Sequence, residues 1–329
     1  MIEAMAVREA PQAQALEEYR TELTGYCYRM LGSAFEAEDA VQETMLRAWR
    51  ALEKFEGRSQ LRSWLYSIAT NVCLDVLGGK ERKVRPMQLG EPGAPVIESL
   101  AATRPEGEWV LPMPDGRVVD DGGDPAEVAA ARETLKLAFV AALQFLPPKQ
   151  RAVLILRDVL RWKASEVAAL LDTSEASVNS ALQRARATID QQGIEPDEVA
   201  DPTDEEHAEL LKRYMQAFES YDMEALTALL HEDATLSMPP YELWLTGHDD
   251  IVAWMMGPGH ACEGSRLVPV AANGSIAFGQ YRPSGPNGEH EPWGLVVLET
   301  RDGKVSGLNT FLDTASLFPL FGLPPALDR

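Results

Sequence analysis

The stretch from Leu146 to Ile189 constrains the fold of this chain more than any other segment. It predicts a helix that begins near Leu146-Pro147-Pro148, a turn at Asp172-Thr173-Ser174, and a second helix after the turn. Asp tolerates turn conformations, and a Thr or Ser hydroxyl caps a following helix because it accepts a backbone N–H. This layout is typical of a helix-turn-helix that enters the major groove of DNA.

The second helix has an apolar face and a polar face. The apolar residues recur with the i, i+4, i+7, i+11 spacing that keeps one stripe against a core, and they are Val178, Leu182, Ala185 and Ile189. The outward positions carry groups that hydrogen-bond bases or phosphates, namely Ser177, Ser180, Gln183 and Arg184. A small helical bundle without a DNA-binding role shows the same pattern, so both interpretations stay open at this point.

The net charge of the 329-residue chain is -21, which is unusual for a protein that binds DNA by itself. Residues 132–191 form the only segment with a net positive charge, whereas residues 192–329 carry most of the acidic excess. Since few cations are available to neutralise phosphates, we expect weak intrinsic DNA affinity and a larger partner that holds the chain on DNA.

Several function classes are not expected. The sequence has no apolar run of about 18 residues and no signal-peptide pattern, so we predict no membrane span and a cytoplasmic location. The three cysteines, Cys27, Cys73 and Cys262, are far apart and are expected to be free thiols. The five histidines lack zinc-like spacing and no P-loop is present, so we expect no metal and no cofactor.

Composition and periodicity divide the chain into four segments. Residues 14–80 and 132–191 are helical by period, residues 81–131 form a long acidic linker rich in Pro and Gly, and residues 204–329 change from helical to strand-like patterns. We therefore predict a multidomain protein with two all-α parts followed by an α+β domain.

Two features of residues 14–80 carry candidate binding residues. A helix around residues 34–55 has an apolar stripe of Val41, Met45, Trp49 and Leu52, with Asp39, Gln42 and Glu43 away from it. These polar residues indicate either a solvated face or a docking surface for a basic helical partner. After Gly57, the residues Arg58, Arg62 and Trp64 supply cations and a flat ring, as single-strand recognition requires. Trp64 fits a core position equally well.

The C-terminal segment contains aromatic and histidine residues that are candidates for lining a pocket, namely Trp244, His248, Trp254, His260 and Trp293. His248 precedes Asp249-Asp250 and could form an acid/base pair with them. However, aromatic residues in a sheet-and-helix domain usually belong to the core, and His248 follows Gly247 in an expected exposed turn. We therefore favour a regulatory contact over ligand sensing, and ligand sensing over catalysis.

Trp109 lies in an otherwise Pro- and Gly-rich part of the linker. A tryptophan is rarely left in water. We predict that it or its neighbours pack on the C-terminal domain and set the spacing between the two helical parts.

Two motif groups in this order carry a family resemblance. The first comprises Glu38-Asp39-Ala40-Val41-Gln42-Glu43-Thr44, Phe55-Glu56-Gly57-Arg58-Ser59 and Arg62-Ser63-Trp64-Leu65-Tyr66-Ser67-Ile68-Ala69-Thr70-Asn71, and the second comprises Leu146-Pro147-Pro148-Lys149-Gln150-Arg151 and Ser177-Val178-Asn179-Ser180-Ala181-Leu182-Gln183-Arg184-Ala185-Arg186. They resemble regions 2 and 4 of extracytoplasmic-function (group 4) sigma factors. The C-terminal order of helices and strands is similar to a SnoaL-like (NTF2-like) α+β cone.

The resemblance implies partners and site residues. Asp39, Gln42 and Glu43 match the part of region 2 that docks on the β′ clamp helices of core RNA polymerase, whose β flap is a further partner. A second set matches contacts to the opened -10 element of promoter DNA: Arg58, Ser59, Gln60, Arg62, Trp64 and Asn71. A third set matches the helix that reads the -35 element: Ser177, Asn179, Ser180, Gln183, Arg184 and Arg186. The linker matches a segment that threads through polymerase.

The resemblance therefore predicts a sigma factor with a fused regulatory domain, and not an enzyme. An anti-sigma factor or a small-molecule ligand of the C-terminal domain is a candidate further partner. One alternative is a stand-alone helix-turn-helix regulator with a metabolite-sensing C-terminal domain, although the chain carries little positive charge for that role. Another is an enzyme whose N-terminal half regulates it.

Overall fold

The computed structural model describes residues 14–52, 55, 60–119, 122, 124–192 and 204–328. The chain divides into two compact units, which we call the helical unit (Met1–Lys83 and Asp115–Ile194) and the α+β unit (Val84–Pro114 and Glu195–Arg329). The expected linker of residues 81–131 is therefore shared between them. Its central part, residues 84–114, belongs to the α+β unit and is called the strap below.

The first half of the helical unit contains α1 (Arg20–Leu31), α2 (Ala34–Ala51) and α3 (Leu61–Leu77). Gly32 ends α1 with a left-handed φ of 68°, a conformation that glycine adopts without steric cost. The Ser33 side chain then caps α2 by accepting the backbone N–H of Glu36 at 3.5 Å. Apolar residues of the three helices, such as Leu23, Val41 and Leu65, are fully buried between them.

The second half of the helical unit contains α4 (Pro125–Glu133), α5 (Leu137–Leu143), α6 (Pro148–Leu154), a π-helical turn (Ile155–Val159), α7 (Ala164–Leu170) and α8 (Glu175–Asp190). The expected turn is present, with Asp172 at a φ of 50°. Ser174 caps α8 by accepting the backbone N–H of Ser177 at 3.2 Å. Val178, Leu182 and Ala185 are buried, which gives the helix-turn-helix its predicted inner face.

The α+β unit has α9 (Asp204–Glu219), α10 (Met223–Leu229), α11 (His248–Met256) and α12 (Thr314–Leu320). Its strands are β1 (Leu230–Ser237), β2 (Trp244–Thr246), β3 (Arg266–Ala272), β4 (Ser275–Arg282), β5 (Glu291–Arg301) and β6 (Lys304–Phe311). In the described residues they form a six-stranded sheet in the order β2-β1-β6-β5-β4-β3, in which β1 and β6 are parallel and the other pairs antiparallel.

The hairpin between β5 and β6 turns at Asp302 and Gly303. Their φ angles are 54° and 70°, and Arg301 pairs with Lys304. Positive φ at both central residues is typical of a type I′ turn, which matches the twist of the flanking strands.

The two faces of the sheet have different coverings. On one face, side chains of α9, α10 and α11 pack with alternate strand residues, and this core includes Tyr214, Phe218, Trp254, Phe278, Leu298 and Leu308. Strand residues that point to the other face of the sheet contact different segments: Asn309 contacts the strap, and Gly279 lies beside the segment after α12. None of the helices in the described part of the chain is long and apolar enough to cross a membrane.

Candidate nucleic-acid and partner-binding surfaces

The residues predicted to dock a partner lie on α2. Asp39 and Gln42 are exposed, whereas Glu43 is half-buried and accepts a hydrogen bond from Arg47 Nε at 2.7 Å. Arg47 also lies 3.3 Å from Asp75 on α3. The ion pair with Arg47 holds the Glu43 carboxylate in place. This face of α2 therefore presents two exposed polar side chains, Asp39 and Gln42, beside a carboxylate of fixed position.

An open groove of about 250 Å³ lies beside these residues. It is lined by Leu16, Glu17, Arg20, Gln42, Met45, Leu46 and Trp49. Leu46 and Trp49 are 44% and 41% exposed, which is unusual for large apolar side chains on one helix. Trp49 was expected in the buried apolar stripe of α2, and Leu46 was not among the predicted binding residues. The i, i+4, i+7 spacing of Gln42, Leu46 and Trp49 was the available signal.

The residues predicted to contact the -10 element do not all lie on one surface of the described structure. Arg58 and Ser59 lie outside the described residues. Gln60 precedes α3, and the spacing of Gln60, Trp64 and Asn71 places them along one side of the helix. Gln60 and Asn71 are exposed, and the half-buried Trp64 ring packs 4.8 Å from that of Phe55.

Arg62 points away from that side. Its guanidinium pairs with Glu22 at 2.9 Å and lies 5.4 Å from the ring centroids of both Tyr66 and Trp162. Trp162 belongs to the second half of the helical unit, between the π-helical turn and α7. The structure therefore does not group Arg62 with Gln60, Trp64 and Asn71.

The predicted reading helix, α8, presents its polar residues outward. All six are exposed: Ser177, Asn179, Ser180, Gln183, Arg184 and Arg186. Arg186 forms a two-pronged ion pair with Asp158, at 2.7 and 2.8 Å. A carboxylate so close reduces the positive potential at this end of α8, so Arg184 is the stronger cation for phosphate or guanine contacts.

Trp109 is buried within the α+β unit, with 1% of its surface exposed. Its Nε1 donates a hydrogen bond to the backbone carbonyl of Arg104 at 3.3 Å. Val84 flanks it, because the Val84 N–H donates to the Glu108 carbonyl at 2.9 Å. The tryptophan thus folds the strap onto itself.

Neighbouring strap residues contact the sheet and its loops. Arg104 Nε lies 2.7 Å from the Glu242 carboxylate, and the Met113 N–H donates to Asn273 Oδ1 at 2.9 Å. Arg85 pairs with Glu299 at 2.6 Å and donates to Asn309 Oδ1 at 3.0 Å. These partners lie on β5, on β6 and in loops between strands, so the strap is held at several separate points.

The five residues predicted to line a pocket lie apart from one another. Trp254 is buried in the core. Trp244 lies on the edge strand β2 and donates to the Gly90 carbonyl at 3.0 Å, whereas Trp293 lies on β5 beneath the Arg282 guanidinium at 4.2 Å. His260 is exposed and 3.3 Å from Glu263.

The structure also differs from the expectation for His248. This residue begins α11 and is half-buried, and its Nε2 faces the His231 carbonyl at 2.9 Å. The ring therefore contacts backbone, because the helix start holds it against β1. The expected acid/base pair with Asp249-Asp250 is not among its contacts in the described residues.

Comparison with known proteins gives independent evidence for each part. Residues 15–83 match the family model of sigma-70 region 2, residues 136–189 that of sigma-70 region 4, and residues 211–308 that of the SnoaL-like domain. The solved structure of the Mycobacterium tuberculosis extracytoplasmic function sigma factor SigJ superposes with a TM-score of 0.63 at 24% identity, covering 94% of this chain and 99% of that one. This similarity confirms the predicted fold: two helical sigma regions followed by an α+β domain.

Sequence relatives extend over the same length. The chain is 46% identical over 316 residues to the ECF RNA polymerase sigma factor SigG of M. tuberculosis, covering 94% of this chain and 83% of that protein. It is 27% identical over 314 residues to SigJ of the same species, covering 90% of each. The chain belongs to the ECF RNA polymerase sigma factors and carries a SnoaL-like domain after region 4. The family expected from the motifs is confirmed, and the alternative of a stand-alone regulator is not favoured.

Proposed function

We propose that this sigma factor docks on core RNA polymerase through the exposed face of α2. In this complex region 2 contacts the β′ clamp helices, and region 4 contacts the β flap. The observation that carries this proposal is the groove beside Gln42, where Leu46 and Trp49 remain exposed. Large side chains exposed together beside polar groups are typical of interface centres, in which aromatic residues contribute much of the binding energy.

Promoter DNA is the second partner. In the proposed complex α8 reads the -35 element, and Gln60, Trp64 and Asn71 face the opened -10 strand. Polymerase supplies most of the phosphate contacts, since the chain is strongly acidic. Trapped bases on region 2 then offset part of the unstacking cost of melting, which is a few kcal/mol per extruded base.

The α+β unit acts in this proposal as a regulatory domain in a cytoplasmic protein. Its candidate pocket residues point to separate places in the unit, so the geometry supports a contact role better than a catalytic one. An anti-sigma protein or a small-molecule ligand would act through the same unit.

The docking proposal is tested by replacing Trp49 with Ala in the full-length chain. We expect binding to core polymerase to weaken by at least about tenfold, because truncation of a central interface aromatic commonly costs about 2 kcal/mol or more. Fluorescence anisotropy with labelled sigma factor measures the affinity, and run-off transcription on genomic fragments measures the consequence.

Met256→Ala is the matched control. Met256 is 56% exposed at the end of α11, and it lies in the other unit. If Trp49→Ala binds polymerase as well as Met256→Ala does, the groove is not the docking surface.

A further inference from the structure

An acidic side chain lies against one of the exposed arginines of α8. Asp158 belongs to the π-helical turn Ile155–Val159, and Arg186 lies on α8, 28 positions later in the chain. The Arg186 Nε and Nη2 atoms donate to the two Asp158 carboxylate oxygens at 2.8 and 2.7 Å. A guanidinium binds a carboxylate and a phosphate through the same two-pronged geometry. Asp158 therefore occupies an edge of Arg186 that is suited to a phosphate.

The position of Arg186 along α8 fits a contact with the DNA backbone. Helix-turn-helix proteins contact base edges with the N-terminal residues of the second helix. Arg186 lies about 13 Å along the helix axis from Ser177, which is in the first turns of α8. Because the major groove is about 12 Å wide, a helix that places Ser177 at the bases brings Arg186 close to the phosphates at the edge of the groove.

The pair lies at the surface, where DNA can reach it. The Arg186 side chain is 58% exposed and the Asp158 side chain is 29% exposed. The hydrogen bond to Asp158, followed by the charge of that residue, raises the pKa of Arg186, and Asp190 adds a smaller effect through its charge. Since surface ion pairs contribute little to stability, we expect substitution of Asp158 to leave the fold intact.

The Asp158 carboxylate weakens a phosphate contact of Arg186. Asp158 accepts from Nε and from one N–H of Nη2, so a phosphate has to approach the opposite edge of the guanidinium. The carboxylate is then about twice as far from the phosphate as the arginine charge is. Because Coulomb energy falls inversely with distance, it cancels about half of the attraction.

We propose that Asp158 masks Arg186 and so limits the affinity of region 4 for the DNA backbone beside the -35 element. This inference rests on the proposed function, in which α8 reads that element. A phosphate contact is the same at every DNA sequence, so weakening it increases the share of binding that the base contacts supply. The mask therefore favours promoter sites over other DNA.

The mask is tested with Asp158→Asn in the full-length chain, assembled with core polymerase. Asparagine keeps the size of aspartate and removes its charge. We expect the holoenzyme to bind promoter DNA about three- to tenfold more tightly and with a steeper salt dependence, because the unmasked Arg186 neutralises a phosphate more fully.

The probe is the genomic fragment that gives the strongest run-off transcript, and filter binding at several salt concentrations measures the affinity. A second duplex with altered -35 bases should gain the same factor, since a phosphate contact carries no sequence information. Asp158→Ala should act in the same direction, and it replaces Asp158→Asn if that chain does not fold.

Two further chains separate the mask from a general effect of charge. Glu127→Gln is the matched control, because it removes one negative charge from an exposed position in the first turn of α4, and it should change the affinity by less than about twofold. Asp158→Asn should give no gain when it is combined with Arg186→Ala, since the masked cation is then missing.

The two proposals fail in different ways. If the wild-type holoenzyme binds the promoter fragment and the altered duplex equally, and Arg184→Ala changes neither affinity, α8 does not read the -35 element and that part of the proposed function fails. If the -35 dependence is present but Asp158→Asn binds no more tightly than Glu127→Gln does, the mask is rejected. A gain that persists in the Arg186→Ala chain would reject it as well, since the effect would not depend on Arg186.

Discussion

At the scale of single residues, the role of a side chain depends on how far it is buried and on what it contacts, and the residue type alone does not determine either. Trp109 and Trp49 are both tryptophans in sequence contexts that predict packing, yet one is 1% exposed and the other 41% exposed. Trp109 is enclosed because Val84 pairs with the backbone on both sides of it. Trp49 lies near the end of α2, where it lines the open groove. The same type of side chain therefore has a structural role at position 109 and a proposed docking role at position 49.

Glu106 of the strap provides a pH-dependent prediction. Burial, followed by a hydrogen bond to Asp313 and the charge of that residue, raises the pKa of Glu106 to about 7 from its ordinary value of 4.5. Because the folded-state pKa is the higher one, the contribution of Glu106 to stability is fully present below pH 4.5. It is lost as the pH rises through about 7, when two carboxylates repel each other.

Glu106→Gln should remove this dependence. We expect the variant to be more stable than wild type at pH 8 and close to wild type at pH 4.5 or below, in urea unfolding followed by fluorescence. Equal differences between the two chains at both pH values would contradict the assignment. Glu91→Gln, at an exposed strap position, is the control.

At the scale of elements, α8 shows how a helix comes to present one polar face to solvent, the face proposed to read the -35 element. Its cap at Ser174, its buried stripe and its exposed polar residues follow directly from spacing in the sequence. The pairing of Arg186 with Asp158, by contrast, joins residues 28 positions apart and was not foreseen. It distinguishes two arginines that look alike in the sequence.

If Arg184 contacts a base, Arg184→Ala should weaken the binding of the holoenzyme to promoter DNA by about 1–3 kcal/mol. The loss should then be confined to templates that carry the preferred -35 bases. If it contacts a phosphate, the loss should be similar for all templates and the salt dependence should become shallower. Electrophoretic mobility shifts at several salt concentrations measure both. Lys212→Ala on α9 is the control, and a loss equal to that of Arg184→Ala would argue against a specific role for α8.

At the scale of the whole molecule, the strap joins the α+β unit although it precedes region 4 in the chain. Its apolar residues, including Trp109, Val110 and Met113, are buried within that unit. A helical unit without its C-terminal companion would therefore expose the strap to water.

A chain truncated after residue 193 should bind core polymerase but have a strap that is cleaved faster by protease, with first cuts in residues 84–114. It should also bind a hydrophobic dye that full-length protein does not bind. Limited proteolysis with mass spectrometry measures the cut sites. Equal protection of residues 84–114 in both chains would show that the strap does not need the α+β unit.

Much of this architecture was predictable because it depends on local patterns. Periodicity placed α2 and α8, and the two motif groups indicated the sigma family. The position of residues 81–131 and the arrangement of the expected pocket residues were harder to predict, because both depend on which residues far apart in the chain come into contact. Trp244 and Trp293 look like pocket residues in the sequence, but the strand order β2-β1-β6-β5 separates them.

The amino-acid sequence alone determined the helical regions, the exposed polar face of α8, the α+β class of the last segment and the family, since caps, turns and short-range spacing act within a few residues. Only the tertiary structure decided that the strap packs on the sheet, that Trp49 stays exposed, and that Arg62 lies over the Trp162 ring. Those outcomes result from competition for burial between residues far apart in the chain, and no local pattern encodes which of them come into contact.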